Sequence, residues 1–476
     1  MNNREGFLSF ARGILPHLQW ARYQRGSPEN KRLLQTHSEG KMRKIWFGLL
    51  GVAVAVIALQ FTQANVNAGL FSDCSPCNEV TACDPCEAVC NPCDPCGGKK
   101  GGWFVNGFIE SGFWANEFGN KSWYPGWDTS RHNLAAWPGN TGALQNVRHT
   151  GYQVNQVYLS TGKIADGRRG WDFGGQVDFV FGSDAWMVQS AGLEKLNGHD
   201  DEGWGTGDYY SAFAQAYVQA AYKNLDIYAG KFYAPFGAQK FRGDENFFYS
   251  FAPNFDFLPV TASGAYATYA VNRQLTVLGG WVVPDMFGET SHNNALLGGV
   301  SFQANKKLNL TYNFAAGQIG EEDLGYDLDY FVNSLIATYN INKKWKTVID
   351  WSLFNTKIDD FDYNYTAWGI NAAVFYQYSK TLAFGARYNY VSGSKFANFD
   401  YGRYGINGFY GNWGTTVKDW TAISLGANWT PAKWLVVKPE IRWDIADTVW
   451  GGYFADKSGN PHKQQFSGGL STVVKF

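Results

Sequence analysis

The sequence predicts an all-β fold, a transmembrane antiparallel up-and-down β-barrel of about 16 strands, and three observations carry that prediction. From residue 103 onward, runs of about 8–15 residues alternate apolar with polar or small side chains, the period of a strand whose two faces meet different media. The connections between those runs alternate strictly between short polar turns and long loops. The final alternating run ends on Phe476, the last residue of the chain.

Composition excludes the competing classes. The chain has 20 Trp, 27 Tyr and 35 Phe, together more than its 40 Lys/Arg and 41 Asp/Glu, which is too much aromatic surface for a disordered chain. A mean hydropathy of −0.30 with 55 Gly and 15 Pro excludes a polytopic helical membrane protein. One stretch, 45–59, is continuously apolar; it follows Met42-Arg43-Lys44 and precedes Val66-Asn67-Ala68, a small-x-small cleavage pattern. Residues 42–68 therefore read as a secretory signal peptide and 1–41 as an upstream extension, with translation starting at Met42. Without residues 1–68 the chain loses nine basic and three acidic residues and keeps 31 against 38, an excess that gives nucleic acid no purchase.

Residues 69–102 read as a Cys/Pro-rich periplasmic segment. All seven cysteines lie here in Cys-x-Pro-Cys units: Cys74 with Cys77, Cys83 with Cys86, Cys90 with Cys93, and Cys93 with Cys96. In an exported chain the expected chemistry is a disulfide-stapled segment, and the odd count leaves one thiol for a cell-wall or disulfide-linked partner. Zinc fits the spacing but not the proline inside every unit or the lack of histidine. The expectation is no metal and no cofactor.

The barrel occupies 103–476. Its strands are expected at 103–116, 151–162, 170–182, 209–222, 225–234, 264–271, 274–283, 294–304, 308–317, 329–341, 345–356, 365–378, 381–392, 419–430, 434–446 and 465–476. Short turns such as Lys223-Asn224 follow every even strand; long loops, 117–150, 183–208, 235–263, 284–293, 318–328, 357–364, 393–418 and 447–464, follow every odd one. Tight periplasmic turns on one rim and long external loops on the other are the signature of an outer-membrane barrel. In strand 381–392, Leu382, Phe384, Ala386, Tyr388 and Tyr390 should meet lipid while Arg387 and Asn389 face inward. In strand 434–446, Lys438, Glu440, Arg442 and Asp444 share a face that only a wet lumen tolerates, so these four and Arg387 are the expected pore-lining residues. Aromatics at strand ends (Trp103, Tyr152, Trp171, Tyr222, Tyr339, Trp345, Tyr378, Trp420, Trp429 and Trp434) should form the girdles at the membrane surfaces. Leu470, Thr472, Val474 and Phe476 share one face of the last strand and resemble the signal read by the barrel assembly machinery, and the first and last strands must pair because lipid tolerates no open edge.

Residues 214–317 resemble the β-barrel porin family of planctomycetes and related Gram-negative-type bacteria. The likeness is carried by Ala-Tyr-Val-Gln-Ala at 216–220, Tyr-Ala-Gly-Lys-Phe-Tyr-Ala-Pro-Phe-Gly at 228–237, Asn-Phe-Phe-Tyr-Ser at 246–250, Gly-Ala-Tyr-Ala-Thr-Tyr at 264–269 and Leu-Gly-Gly-Val-Ser-Phe at 297–302. It implies an outer-membrane diffusion channel without catalytic residues.

Sixteen strands enclose an aqueous lumen where eight would be filled by their own side chains. The expected function is thus passive passage of small hydrophilic solutes or ions, with outer-membrane lipid around the barrel and homo-oligomerisation left open. The alternative is an adhesin or plugged receptor built on the long loops. An enzyme would need a base near the rim; the candidates His132, His149, His199, His292 and His462 all fall outside the expected barrel strands. The third long loop, 235–263, holds Phe236, Phe241, Phe247, Phe248, Tyr249, Phe251, Phe255 and Phe257, too apolar to stay solvated. It should pack inside the barrel as a constriction, with Lys240, Arg242, Asp244 and Glu245 beside the passage.

Overall fold

A computed structural model describes residues 102–118, 150–190, 193–194, 204–206, 209–255, 257–284, 294–321, 326–358, 363–393, 417–448, 454–456, 458 and 460–476. Sixteen long strands follow in chain order: β1 Trp103–Asn116, β2 Gly151–Lys163, β3 Asp172–Gly182, β4 Tyr209–Tyr222, β5 Leu225–Tyr233, β6 Thr261–Ala270, β7 Leu275–Pro284 and β8 Asn294–Gln303. They continue as β9 Leu308–Glu321, β10 Tyr326–Asn340, β11 Trp345–Ile358, β12 Tyr363–Gln377, β13 Leu382–Gly393, β14 Val417–Ala432, β15 Leu435–Thr448 and β16 Gln464–Lys475. Each pairs antiparallel with the next in sequence, and β1 pairs with both β2 and β16, so the sheet closes on itself. A two-residue strand, Gly205–Thr206, joins the same sheet beside β4. The disulfide candidates Cys74, Cys77, Cys83, Cys86, Cys90, Cys93 and Cys96 lie outside the described residues. So do the signal peptide, the upstream extension and four of the histidine candidates, His132, His149, His199 and His292.

The short turns have a local cause. At three of them an asparagine opens the turn and its Oδ1 accepts the backbone N–H groups two and three residues on: Asn272 from Gln274 and Leu275, Asn305 from Lys307 and Leu308, Asn342 from Lys344 and Trp345. The side chain thus supplies a preformed turn that reverses the chain without a long loop. In the Lys223-Asn224 turn, Lys223 takes a left-handed φ of 53°. Closure reaches the last residue: Gly107 and Phe476 exchange both backbone hydrogen bonds at 2.9 Å, and the terminal phenyl stays on the outer surface.

The alternation sorts side chains as expected in β13 and β15. Phe384, Tyr388, Ile441 and Trp443 are exposed on the outside while Arg387, Asn389, Lys438, Glu440, Arg442 and Asp444 are buried within. One girdle expectation is corrected: Trp420 is buried, because it shares the inward face of β14 with Ala422 and Ser424, and its indole Nε1 donates to Asp444 Oδ1 at 2.9 Å. The other strand-end aromatics keep an outer position, with Trp103, Tyr152, Trp171, Tyr378, Trp429 and Trp434 all more than half exposed or nearly so. A second difference lies at β6, which starts at Thr261 rather than 264 because Thr261 and Ala262 pair with Tyr233 and Phe232. The third long loop therefore spans 234–260.

The core is inside the barrel. Phe236, Phe257 and Leu258 of the 234–260 loop pack with inward residues that include Val282, Leu297, Val332, Phe354, Val391 and Trp420, on strands from β7 to β14. Phe241, Phe251, Phe255 and Val260 pack on the remaining wall, against Phe108, Tyr158, Val180, Ala212, Val436 and Val473. Burying these rings is worth roughly 1.5–3 kcal/mol each, which explains why the loop does not project into water.

Candidate functional site

The 234–260 loop is tied to the inner wall at β2, β9, β10, β11, β13 and β15. At its start, Asn313 Nδ2 donates to the Pro235 carbonyl at 2.5 Å, Gly237 N donates to Ser334 Oγ at 3.2 Å and Ala238 N to Asp350 Oδ2 at 2.9 Å, which fixes it to β9, β10 and β11. At its middle, Gln156 of β2 donates to the Phe241 carbonyl at 2.9 Å and accepts from Gly243 N at 3.1 Å, while Lys438 of β15 donates to the Gly243 carbonyl. Farther on, Tyr249 donates to Asn155 Oδ1 at 2.9 Å, and Asn254 Nδ2 donates to Asp350 Oδ2 at 3.3 Å.

Ser250 is the densest anchor. Its N–H and Oγ donate to the two oxygens of Glu440 at 2.8 and 2.6 Å, its carbonyl accepts from Arg387 Nη1 at 2.8 Å, and its Oγ also accepts from Arg387 Nη2 and Arg442 Nη1. Arg387 Nη2 pairs with Glu440 Oε1 at 3.3 Å; Arg442 forks onto Asp444 at 2.7–2.9 Å and donates to the Phe251 carbonyl at 2.6 Å. Lys438 lies 3.5 Å from Glu110. Each charge faces an opposite one, and Arg387, Lys438, Glu440 and Arg442 also bond loop backbone, the pairing under which buried ions are tolerated.

The wall makes room where loop rings approach. Gly385 of β13 sits against the Phe247 ring and Gly426 of β14 against Phe248, so that a side chain at Gly385 would occupy the space of the phenyl. Phe248 in turn lies under the Arg387 guanidinium, 4.5 Å from ring centroid to carbon.

The expected pore-lining residues are covered by the loop. Arg387, Lys438, Glu440, Arg442 and Asp444 point inward, but with at most 4% of their surface exposed they hold the loop instead of facing water. Arg242 is likewise covered: it pairs with Asp244 at 3.0 Å and Glu245 at 3.2 Å and lies 4.8 Å over the Tyr158 ring. Asp244 is held below the usual carboxylate range against its burial by Arg242. Lys240 and Glu245 keep solvent-exposed surface.

Sequence reasoning missed Ser250, Asp350, Asn254, Asn155 and Gln156. Asp350 was findable: it alternates inward between Val348 and Ser352 in a strand whose other face is Trp351 and Leu353, and such a carboxylate needs a partner in the lumen. Another missed group is Asp184, just after β3. It accepts from Asn155, Gln156 and Ser183 at 3.0 Å, and burial, with the Glu110 charge adding to it, pushes its carboxyl up to about 8. Folding therefore takes up a proton here; the contribution to stability is full below the ordinary value of 3.8 and is lost as the pH rises through about 8. The melting temperature of the purified barrel in detergent is expected to fall between about pH 4 and pH 8 and to level off above that, and Asp184→Asn should flatten that fall.

Of the histidine candidates, the described His462 sits in the short strand Pro461–His462, which pairs with Phe454–Ala455, and its ring stacks on Phe118 at 4.7 Å. Among the described residues no group of three or more His, Cys, Asp or Glu is arranged to hold a metal ion.

Residues 121–476 match a family model described as "Putative beta-barrel porin-2, OmpL-like". Among solved structures the chain is similar to an anion-selective porin from Comamonas acidovorans, with 10% identity and a TM-score of 0.51 over 79% of this chain and 99% of that one. It is also similar to the outer membrane channel DcaP of Acinetobacter baumannii (12% identity, TM-score 0.49, 79% and 97% covered). A third similar structure is OmpT of Vibrio cholerae (13%, 0.46, 79% and 97%). At such identities a shared architecture is what the first of these likenesses conveys. No curated protein matches the sequence.

Proposed function

The chain belongs to the OmpL-like beta-barrel porin-2 family and is an outer-membrane porin, and from that premise we propose that it is a non-enzymatic channel whose passage for small hydrophilic solutes or ions is narrowed by loop 234–260. The observation that carries the reading is the anchoring of that loop across the lumen, from Asp350 on one strand to Arg387, Glu440 and Arg442 on others. A strap of backbone held across a sixteen-strand barrel reduces its bore without any chemical step. Lys240 and Glu245 are the charges proposed to set ion preference, and the buried charges of β13 and β15 to act through the strap they hold.

The test is single-channel conductance of the purified protein in a planar bilayer, with the reversal potential in a salt gradient. Discrete steps of current support the channel; absence of both conductance and solute uptake into liposomes would favour a plugged receptor or adhesin.

The segment that carries Cys74, Cys77, Cys83, Cys86, Cys90, Cys93 and Cys96 is proposed as a periplasmic, disulfide-bearing spacer, supported by the confinement of all seven cysteines to one stretch of an exported chain. Non-reducing electrophoresis should show a higher-mass species, joined through the odd thiol, that collapses on reduction. Stoichiometric zinc in the native protein would replace this reading with a metal site. Self-association of the barrel in the membrane belongs to the same proposal, and cross-linking in whole cells measures it.

A further inference from the structure

We propose that the half of the lumen nearest the short turns binds neutral polyhydroxylated solutes, the chemistry of sugars. The inference deepens the channel reading and rests on it. Its starting point is a stretch of inner wall near the short turns, where Tyr217 and Tyr266 are partly exposed at the edge of the core cluster. Tyr217 of β4, Tyr228 of β5 and Tyr266 of β6 form an aromatic run: Tyr217 and Tyr228 meet edge to face at 5.5 Å and Tyr228 stacks on Tyr266 at 4.8 Å. Beside it, Thr276, Ser301 and Thr311 lie opposite one another on β7, β8 and β9.

The register puts this row inside. Thr311 pairs with Ile336, and Ile336 pairs with Asp350, whose carboxylate binds the loop in the lumen. All six side chains are partly exposed, and in a closed barrel an inward side chain can be wetted only from the lumen. These residues therefore line water.

Their chemistry is of one kind. Ser301 and Thr311 are 3.2 Å apart, and Asn309 reaches Thr311, Ser301 and Gln303 at 3.2–3.5 Å, a ladder of uncharged groups that both donate and accept. Gln219 Nε2 donates to Tyr228 Oη at 3.3 Å and to Asp226 Oδ1 at 3.0 Å, the carboxylate at the edge of the run. A sugar offers the complement: an apolar C–H face for the rings and a rim of hydroxyls for amides and alcohols. Part of the fixed charge, which would favour ions, is taken up in pairs beneath the loop, Arg387 with Glu440, Arg442 with Asp444 and Lys438 with Glu110.

The probe is maltotriose, added to the full-length protein in a planar bilayer, with glycerol at matched viscosity as reference. Maltotriose should lower the current saturably, beyond the viscosity effect, and Tyr228→Ala with Tyr266→Ala should weaken the half-saturating concentration by about tenfold, the scale of a contact or two. Tyr228→Phe, which keeps the ring, should retain most of the affinity. A current that falls only with viscosity, or an unchanged half-saturation in the double variant, overturns the sugar site. Absence of any current in salt alone would instead overturn the channel reading, so the two failures are distinguishable.

Discussion

Removal of residues 240–250 is expected to raise single-channel conductance by about threefold or more, because it takes out the segment that crosses the barrel while leaving the wall continuous. The deleted stretch carries the Gly243 contacts to Gln156 and Lys438, the Tyr249 bond to Asn155 and every Ser250 bond to Arg387, Glu440 and Arg442. The strands keep their ladder of backbone hydrogen bonds, closed by β1 and β16, so the variant should still resist unfolding as a barrel. Bilayer recording measures the effect. An unchanged conductance in a correctly folded variant would show that the loop does not set the bore.

Glu440→Ala is expected to produce the second large effect, on loop seating and stability rather than on selectivity alone. It removes both acceptors of Ser250 and leaves Arg387 without its carboxylate in a buried site. Stranding a buried charge in this way costs roughly 3–5 kcal/mol. The melting temperature should fall, and current through the open channel should become noisy as the strap detaches. Replacing Arg387 and Glu440 together by methionine should recover part of the stability, since no unpaired ion then remains. Additive losses, with the double variant losing the sum of the two singles in a double-mutant cycle, would refute the pairing.

These expectations depend on contacts that the sequence shows only in outline. Alternation places Arg387 and Glu440 on inward faces because a strand turns each successive side chain to the opposite side. The run of phenylalanines in 236–257 requires a partner, since that much ring surface is not left in water. Neither pattern can say that the rings and the ions belong to one assembly. Ser250 and Glu440 are 190 residues apart, and a hydrogen bond between them exists only after both β15 and the loop have been placed.

The same limit explains the two corrections. Four ionisable groups in a row point to a wet lumen when lipid is the visible alternative; a third environment, dry but paired, requires knowing what covers them. Trp420 lies near a strand end, where an interfacial anchor is expected, whereas the parity of its own strand turns it inward to Asp444.

The barrel is legible from sequence: the period-two alternation gives the strands, and the short polar turns with the loop-length parity give their order and direction. Those are local properties, written in neighbouring residues. Which charges are buried against the loop, and which rings fill the barrel, emerges only in the folded chain, because each depends on side chains brought together from strands far apart along the chain.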